Sequence, residues 1–175
     1  MIGFSLFKSS RKGGMIMKKS ILKGKRILAV EDNPHILAVL QEEIREACPD
    51  CFFDKAMTYK EADERMAMFT YDLVILDGIG ACGFDLFKNA VVRNYPAVIL
   101  TDPTLSSEML RRYSEMGARA CLPKEKIEEI VSFLEDVFRY GKIPGRRRLF
   151  KKLEVFLPEF LQIGERNPAS ISGPR

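Results

Sequence analysis

From Lys25 onward, short β-branched apolar runs alternate with longer stretches of helical period, and the alternation repeats five times. Such a pattern calls for repeated strand-helix units, and strands joined through crossover helices lie parallel. Leu73-Val74-Ile75-Leu76 and Val98-Ile99-Leu100 are apolar at every position, as a strand covered on both faces must be. The expected strands are Arg26 to Val30, Cys51 to Lys55, Asp72 to Leu76, Ala97 to Leu100 and Ala118 to Leu122. Together they predict an α/β fold, a doubly wound five-stranded parallel sheet with helices on both faces.

The helices carry their own start and stop chemistry. Asn33 followed by Pro34 reads as an N-cap with proline at the first helical position, and Ile36, Leu37, Leu40, Ile44 and Ala47 mark one face. Thr58 with Glu61 is a capping-box pattern for the second helix. Gly83 to Val92 supplies the third, and Leu105 to Met116 the fourth, which Gly117 ends. Ile127, Ile130, Val131, Leu134 and Phe138 form the stripe of the fifth, and Gly141 and Pro144 close the domain.

At 175 residues the chain accommodates one domain with extensions, and no apolar run approaches the roughly 20 residues that span a bilayer. Charge divides it into three parts: +8 over residues 1–26, −10 over 27–138 and +6 over 139–175. The expected organisation is a flexible basic extension over 1–24, a domain over 25–140, and a basic helix with a disordered tail over 141–175. In the last part Arg146, Arg147, Arg148, Lys151 and Lys152 interleave with Leu149, Phe150, Leu153, Phe156 and Leu157 as a basic amphipathic helix. It could dock on the domain, bind a partner or membrane surface, or touch nucleic acid. No DNA-binding unit is apparent in it.

Four cysteines in a chain of this size without a convincing secretion signal point to a reducing cytoplasm. Cys48-Pro49-Asp50-Cys51 has redox or zinc spacing, but there is no second such pair and His35 is the only histidine. A helix end and a strand start account for the two thiols more simply. Lys12-Gly13-Gly14 can be encoded by a purine-rich stretch resembling a ribosome-binding sequence, which makes Met17 an alternative start.

Open parallel α/β sheets bind ligands beyond the carboxyl ends of their strands. Here the first strand runs out into Glu31-Asp32, the third into Asp77, the fourth into Thr101 and the fifth toward Lys124. Three carboxylates repel one another, and a hard divalent cation with oxygen ligands is the usual way to hold them together. Magnesium fits, with Asp32 and Asp77 as direct ligands and Glu31 acting through water. A phosphoryl group on Asp77 would find a hydrogen bond from Thr101 and a charge-assisted one from Lys124.

Ile27 to Asp32, Val74 to Asp77, Val98 to Thr101, and Gly117-Ala118 leading to Lys124, in this order, resemble the response-regulator receiver domains of two-component signalling. The resemblance covers about Lys25 to Phe138. It implies a flavodoxin-like (βα)5 fold without classical enzyme activity, acting in a phosphorelay. Asp77 would take a phosphoryl group from a histidine kinase or phosphotransfer protein, magnesium would also meet the Ile79 carbonyl, and an unidentified downstream protein would read the result. A phosphorylation-independent binding module is the alternative. A magnesium-dependent phosphatase would carry a second aspartate where Ile79 stands.

The chain departs from the receiver pattern at several points. The loop after Asp77 is about two residues short, Cys121 stands where an aromatic is common, and Glu125 replaces the usual proline after the lysine. Asp102 occupies a position usually held by a small residue. It is expected either to N-cap the fourth helix, with Pro103 behind it, or to set a further negative charge beside the pocket.

Overall fold

The structure is a computed structural model that describes residues 20–79 and 83–140. The amino-terminal stretch up to residue 19, Cys82, and the basic helix expected around Arg146 to Lys152 lie outside the described residues.

Five strands form one parallel sheet: β1 Arg26–Val30, β2 Phe52–Ala56, β3 Leu73–Asp77, β4 Ala97–Thr101 and β5 Ala120–Pro123. Their spatial order is β2-β1-β3-β4-β5. The chain steps outward from β1 to β2, then crosses back past β1 to β3. A crevice therefore opens between the carboxyl ends of β1 and β3, where the direction of winding reverses.

Side-chain alternation along the strands divides the core into two layers. Leu28, Val30, Val74, Leu76, Ile99 and Cys121 face one side and pack with Ala62, Met66, Phe87, Leu110 and Tyr113. These come from α2 (Tyr59–Met68), α3 (Gly83–Val92) and α4 (Ser107–Met116). Ile27, Ala29, Leu73, Ile75, Val98 and Leu100 face the other side, against α1 (Pro34–Ala47) and α5 (Ile130–Tyr140). Because the inner strands are buried on both faces, they read as unbroken apolar runs.

The caps decide where the helices start. Asn33 Oδ1 accepts from the His35 amide at 3.0 Å with Pro34 behind it, as expected. Thr58 accepts from the Glu61 amide, while the Glu61 carboxylate accepts from the amide of Met57, one residue before the cap. Ala47, expected on the buried face of α1, is exposed; Cys48, just past the helix end, is buried instead.

The fourth helix begins later than Leu105, and its N-cap is Ser106, whose hydroxyl accepts from the Met109 amide. Asp102 is therefore not its cap. The Asp102 carboxylate accepts from both the amide and the hydroxyl of Thr104, at 2.8 and 2.6 Å, and Leu105 N–H closes a turn on the Asp102 carbonyl. Gly117 does end α4, at φ +105°. Ile127 lies in a separate 3-10 turn, Lys124–Glu129, and Pro123 ends the edge strand β5, a position that tolerates a missing donor.

The folded unit begins before Lys25. Leu22 has no exposed surface, and the Ser20 hydroxyl donates to Glu135 of α5 at 2.9 Å.

Candidate functional site

The sheet register brings the polar residues together. Val30 pairs with Leu76 and Asp77 with Leu100, so extending the ladders by one residue sets Glu31 beside Asp77 and Thr101 just beyond Leu100. Two further backbone bonds hold these strand ends to their outer neighbours, β2 and β4. Glu31 N–H donates to the Ala56 carbonyl at 3.2 Å, and Gly78 N–H donates to the Leu100 carbonyl at 2.8 Å. Glu31 and Asp77 are thus positioned by the ends of β1 and β3.

One carboxylate oxygen from each of Glu31, Asp32 and Asp77 lies within 4.8 Å of the others. Glu31 is buried, Asp77 partly so, and Asp32 is exposed. Lys124 inserts its ammonium among them, 2.9 Å from Glu31 Oε2 and 3.0 Å from Asp77 Oδ1. Ile79 N–H also donates to Asp77 Oδ1, at 3.2 Å, so neither contact uses Oδ2. Asn33 N–H donates to Glu31 Oε1 at 3.2 Å.

The charges are unbalanced, three carboxylates against one ammonium. Burial pushes the Glu31 carboxyl above its ordinary range; Lys124 pulls it back and Asp77 pushes it further up. For Lys124, burial works against the charge, but Glu31 and Asp77 together outweigh it, and the ammonium is held above its ordinary value.

Lys124 approaches Glu31 Oε2 without hydrogen-bond alignment, so this buried oxygen has an ion-pair neighbour but no hydrogen-bond partner. A buried acceptor left short, inside an all-oxygen donor set, suits a hard divalent cation.

Of the residues expected from sequence, Glu31, Asp32, Asp77 and Lys124 converge, and Thr101 closes β4 buried at the same edge. Ile79 is exposed and meets Asp77 through its amide. Asp102 is turned onto Thr104, which holds its carboxyl below the ordinary range, with Lys124 adding to the effect.

Tyr113 of α4 was not expected here. It is fully buried, and its hydroxyl donates to the carbonyl of Gly78, next to Asp77, at 3.1 Å. Its ring meets Phe87 edge-on at 5.0 Å and Phe84 at 5.4 Å.

No protein-family model matches the chain, and no curated protein does. Solved structures match in fold. The receiver domain of the Francisella response regulator 1452 is 21% identical, with a TM-score of 0.58 over 67% of this chain and 99% of that one. The signal receiver domain of a DNA-binding response regulator from Colwellia psychrerythraea 34H is 21% identical, with a TM-score of 0.55 over 63% of this chain and 97% of that one. A response regulator from Hahella chejuensis is 27% identical, with a TM-score of 0.53 over 69% and 96%. The strand order, the split core and these likenesses agree: the chain has the flavodoxin-like receiver-domain fold of response regulators.

Proposed function

We propose that the domain accepts a phosphoryl group on Asp77 from a histidine kinase or phosphotransfer protein and signals through protein contacts. The observation that carries this reading is the Lys124 ammonium lodged between Asp77 and Glu31 within the three-carboxylate cluster. An Asp77 carboxylate oxygen attacks phosphorus and forms the new P–O bond. The P–N bond of the donor phosphohistidine breaks, and its electron pair stays on the imidazole nitrogen.

Asp32 and Asp77, with Glu31 and the Ile79 carbonyl beside them, are the groups that would hold a magnesium ion, which when bound would supply positive charge to offset that of the transferring group. Lys124 moves its charge-assisted contact from the Asp77 carboxylate to a phosphoryl oxygen, and the Thr101 hydroxyl donates to another. Two states of one fold then differ in what surrounds Asp77, and a downstream partner selects between them.

A phosphorylation-independent binding module is the second reading, favoured by the small buried thiol of Cys121 in β5. One experiment separates the two. Incubation with a small phosphodonor and magnesium adds one phosphoryl group to the wild type, seen by intact mass, and none to Asp77→Asn. A wild type that takes no phosphoryl group favours the binding module; undiminished labelling of the Asn variant moves the acceptor to another carboxylate.

A further inference from the structure

The contacts around Gly78 and Ile79 converge on a single peptide group. Its oxygen, the Gly78 carbonyl, accepts from the Tyr113 hydroxyl; its hydrogen, on the Ile79 nitrogen, is donated to Asp77 Oδ1. A peptide group is planar, with its C=O and N–H pointing in opposite directions, so it cannot rotate at one end without rotating at the other. Tyr113 and the Asp77 carboxylate therefore hold the two ends of one rigid plate.

Neither end is loosely built. Gly78 N–H is bonded to Leu100 of β4 at 2.8 Å, and a Cβ added at Gly78 would lie 2.7 Å from an Ile99 methyl and 2.9 Å from the Leu100 carbonyl oxygen. The Tyr113 ring is wedged between Phe84 and Phe87 of α3. A buried hydroxyl without a partner would be costly, so it keeps its acceptor. Burial, with Cys121 and Asp77 nearby, pushes the phenol up to about 12, so it remains a proton donor at neutral pH.

We infer that Tyr113 is a positioning residue for Asp77, acting through the Gly78–Ile79 peptide group and tying the fourth helix to the carboxylate. The contact runs both ways. A change at Asp77 Oδ1 reaches α4 by reorienting this plate, and a partner that moves α4 alters how Asp77 is held. The positioning claim stands on the geometry alone; its meaning for signalling rests on the phosphoryl-transfer reading above.

Tyr113→Phe keeps the ring and removes the bond. By amide hydrogen exchange resolved by NMR, the Ile79 amide of the full chain should exchange about tenfold faster in Tyr113→Phe than in wild type. The core amides of Ile27 to Val30 should change only by the factor set by global stability. An Ile79 amide that is unchanged, or that accelerates only in step with the core, overturns the inference. A second measurement needs no variant: the wild-type Tyr113 hydroxyl proton should exchange slowly and give a cross-peak to the Gly78 α-protons, and its absence equally overturns the inference. Neither readout uses phosphorylation, so a wild type that fails to label would sink the proposed function and leave this inference standing.

Discussion

Gly83 sits against the backbone carbonyl of Asp77 so closely that a Cβ added to it would overlap the Asp77 oxygen. The third helix thus starts directly over the end of β3. The requirement is for space.

Gly83→Ala should force the helix start or the strand end to shift, lowering stability by about 1–3 kcal/mol. Urea unfolding followed by circular dichroism measures this. A loss under about 0.5 kcal/mol would mean that the turn relaxes freely and that the close approach does not hold Asp77. If Asp77 accepts a phosphoryl group, its labelling should slow as well, because the same shift displaces the carboxylate.

Removing the Lys124 side chain leaves Glu31 buried beside Asp77 without its cation. Lys124→Ala should destabilise the metal-free protein by about 1–3 kcal/mol at neutral pH, less than for a fully buried pair because Lys124 keeps some solvent. The ammonium's folded pKa lies above its unfolded value, so its contribution is complete below about pH 10 and is lost as pH rises through the folded value. Thermal unfolding at pH 7 and pH 11 should show the gap between wild type and variant narrowing at the higher pH. If the protein phosphorylates, the variant should still label but show a smaller change in its amide NMR spectrum.

Glu31 has the opposite sign. Its folded pKa is raised, so the folded state binds more protons than the unfolded state between the two values, and stability falls as pH rises through that window. Glu31→Gln should remove this fall and raise the melting temperature of the metal-free protein at pH 7. Magnesium should stabilise the wild type and do little for the variant, so the order of melting temperatures closes or reverses when magnesium is added. A variant less stable than wild type without metal would show that Lys124 offsets the carboxylate fully.

Asp102→Ala removes both bonds from Thr104 and should cost about 1 kcal/mol, comparable with losing a helix cap. That loss should disappear at acid pH, since the Asp102 carboxyl is held below its ordinary range and its contribution fades as pH falls through the folded value. If the protein phosphorylates, its reaction with small anionic phosphodonors should stay within about threefold of wild type, because the charge is turned onto Thr104 and screened. A gain above about tenfold at matched magnesium would put the charge in the pocket.

The part of the fold written in local pattern was legible in the sequence. β1, β3 and β4 announce themselves because burial on two faces leaves no polar position, and Glu31, Asp32 and Asp77 follow from where those strands stop. The start of α4 was misread because Asp102-Pro103 has the chemistry of a cap, while Thr104 offers the same carboxylate a nearer pair of donors and Ser106 offers the helix another cap. Leu22 belongs to an Ile21-Leu22 pair, too short to make a pattern, although it is fully buried. No motif in the sequence singles out Tyr113. Its partner lies 35 positions away in sequence, and only the packing of α3 and α4 over β3 brings the two together.

The Ser20–Glu135 bond has a consequence for how the molecule can be attached to others. Lys25, at the start of β1, places its ammonium 5.4 Å from the ring of Phe138, so both ends of the described fold leave from one pole. Glu135 and Tyr140 are separated by about 7–8 Å along the helix axis. The carboxylate pocket occupies the opposite pole, and the sequence flanking the fold is net positive on both sides. Groups attached directly at Ser20 and at Tyr140 would therefore be neighbours of one another, and would both stand away from the carboxylates.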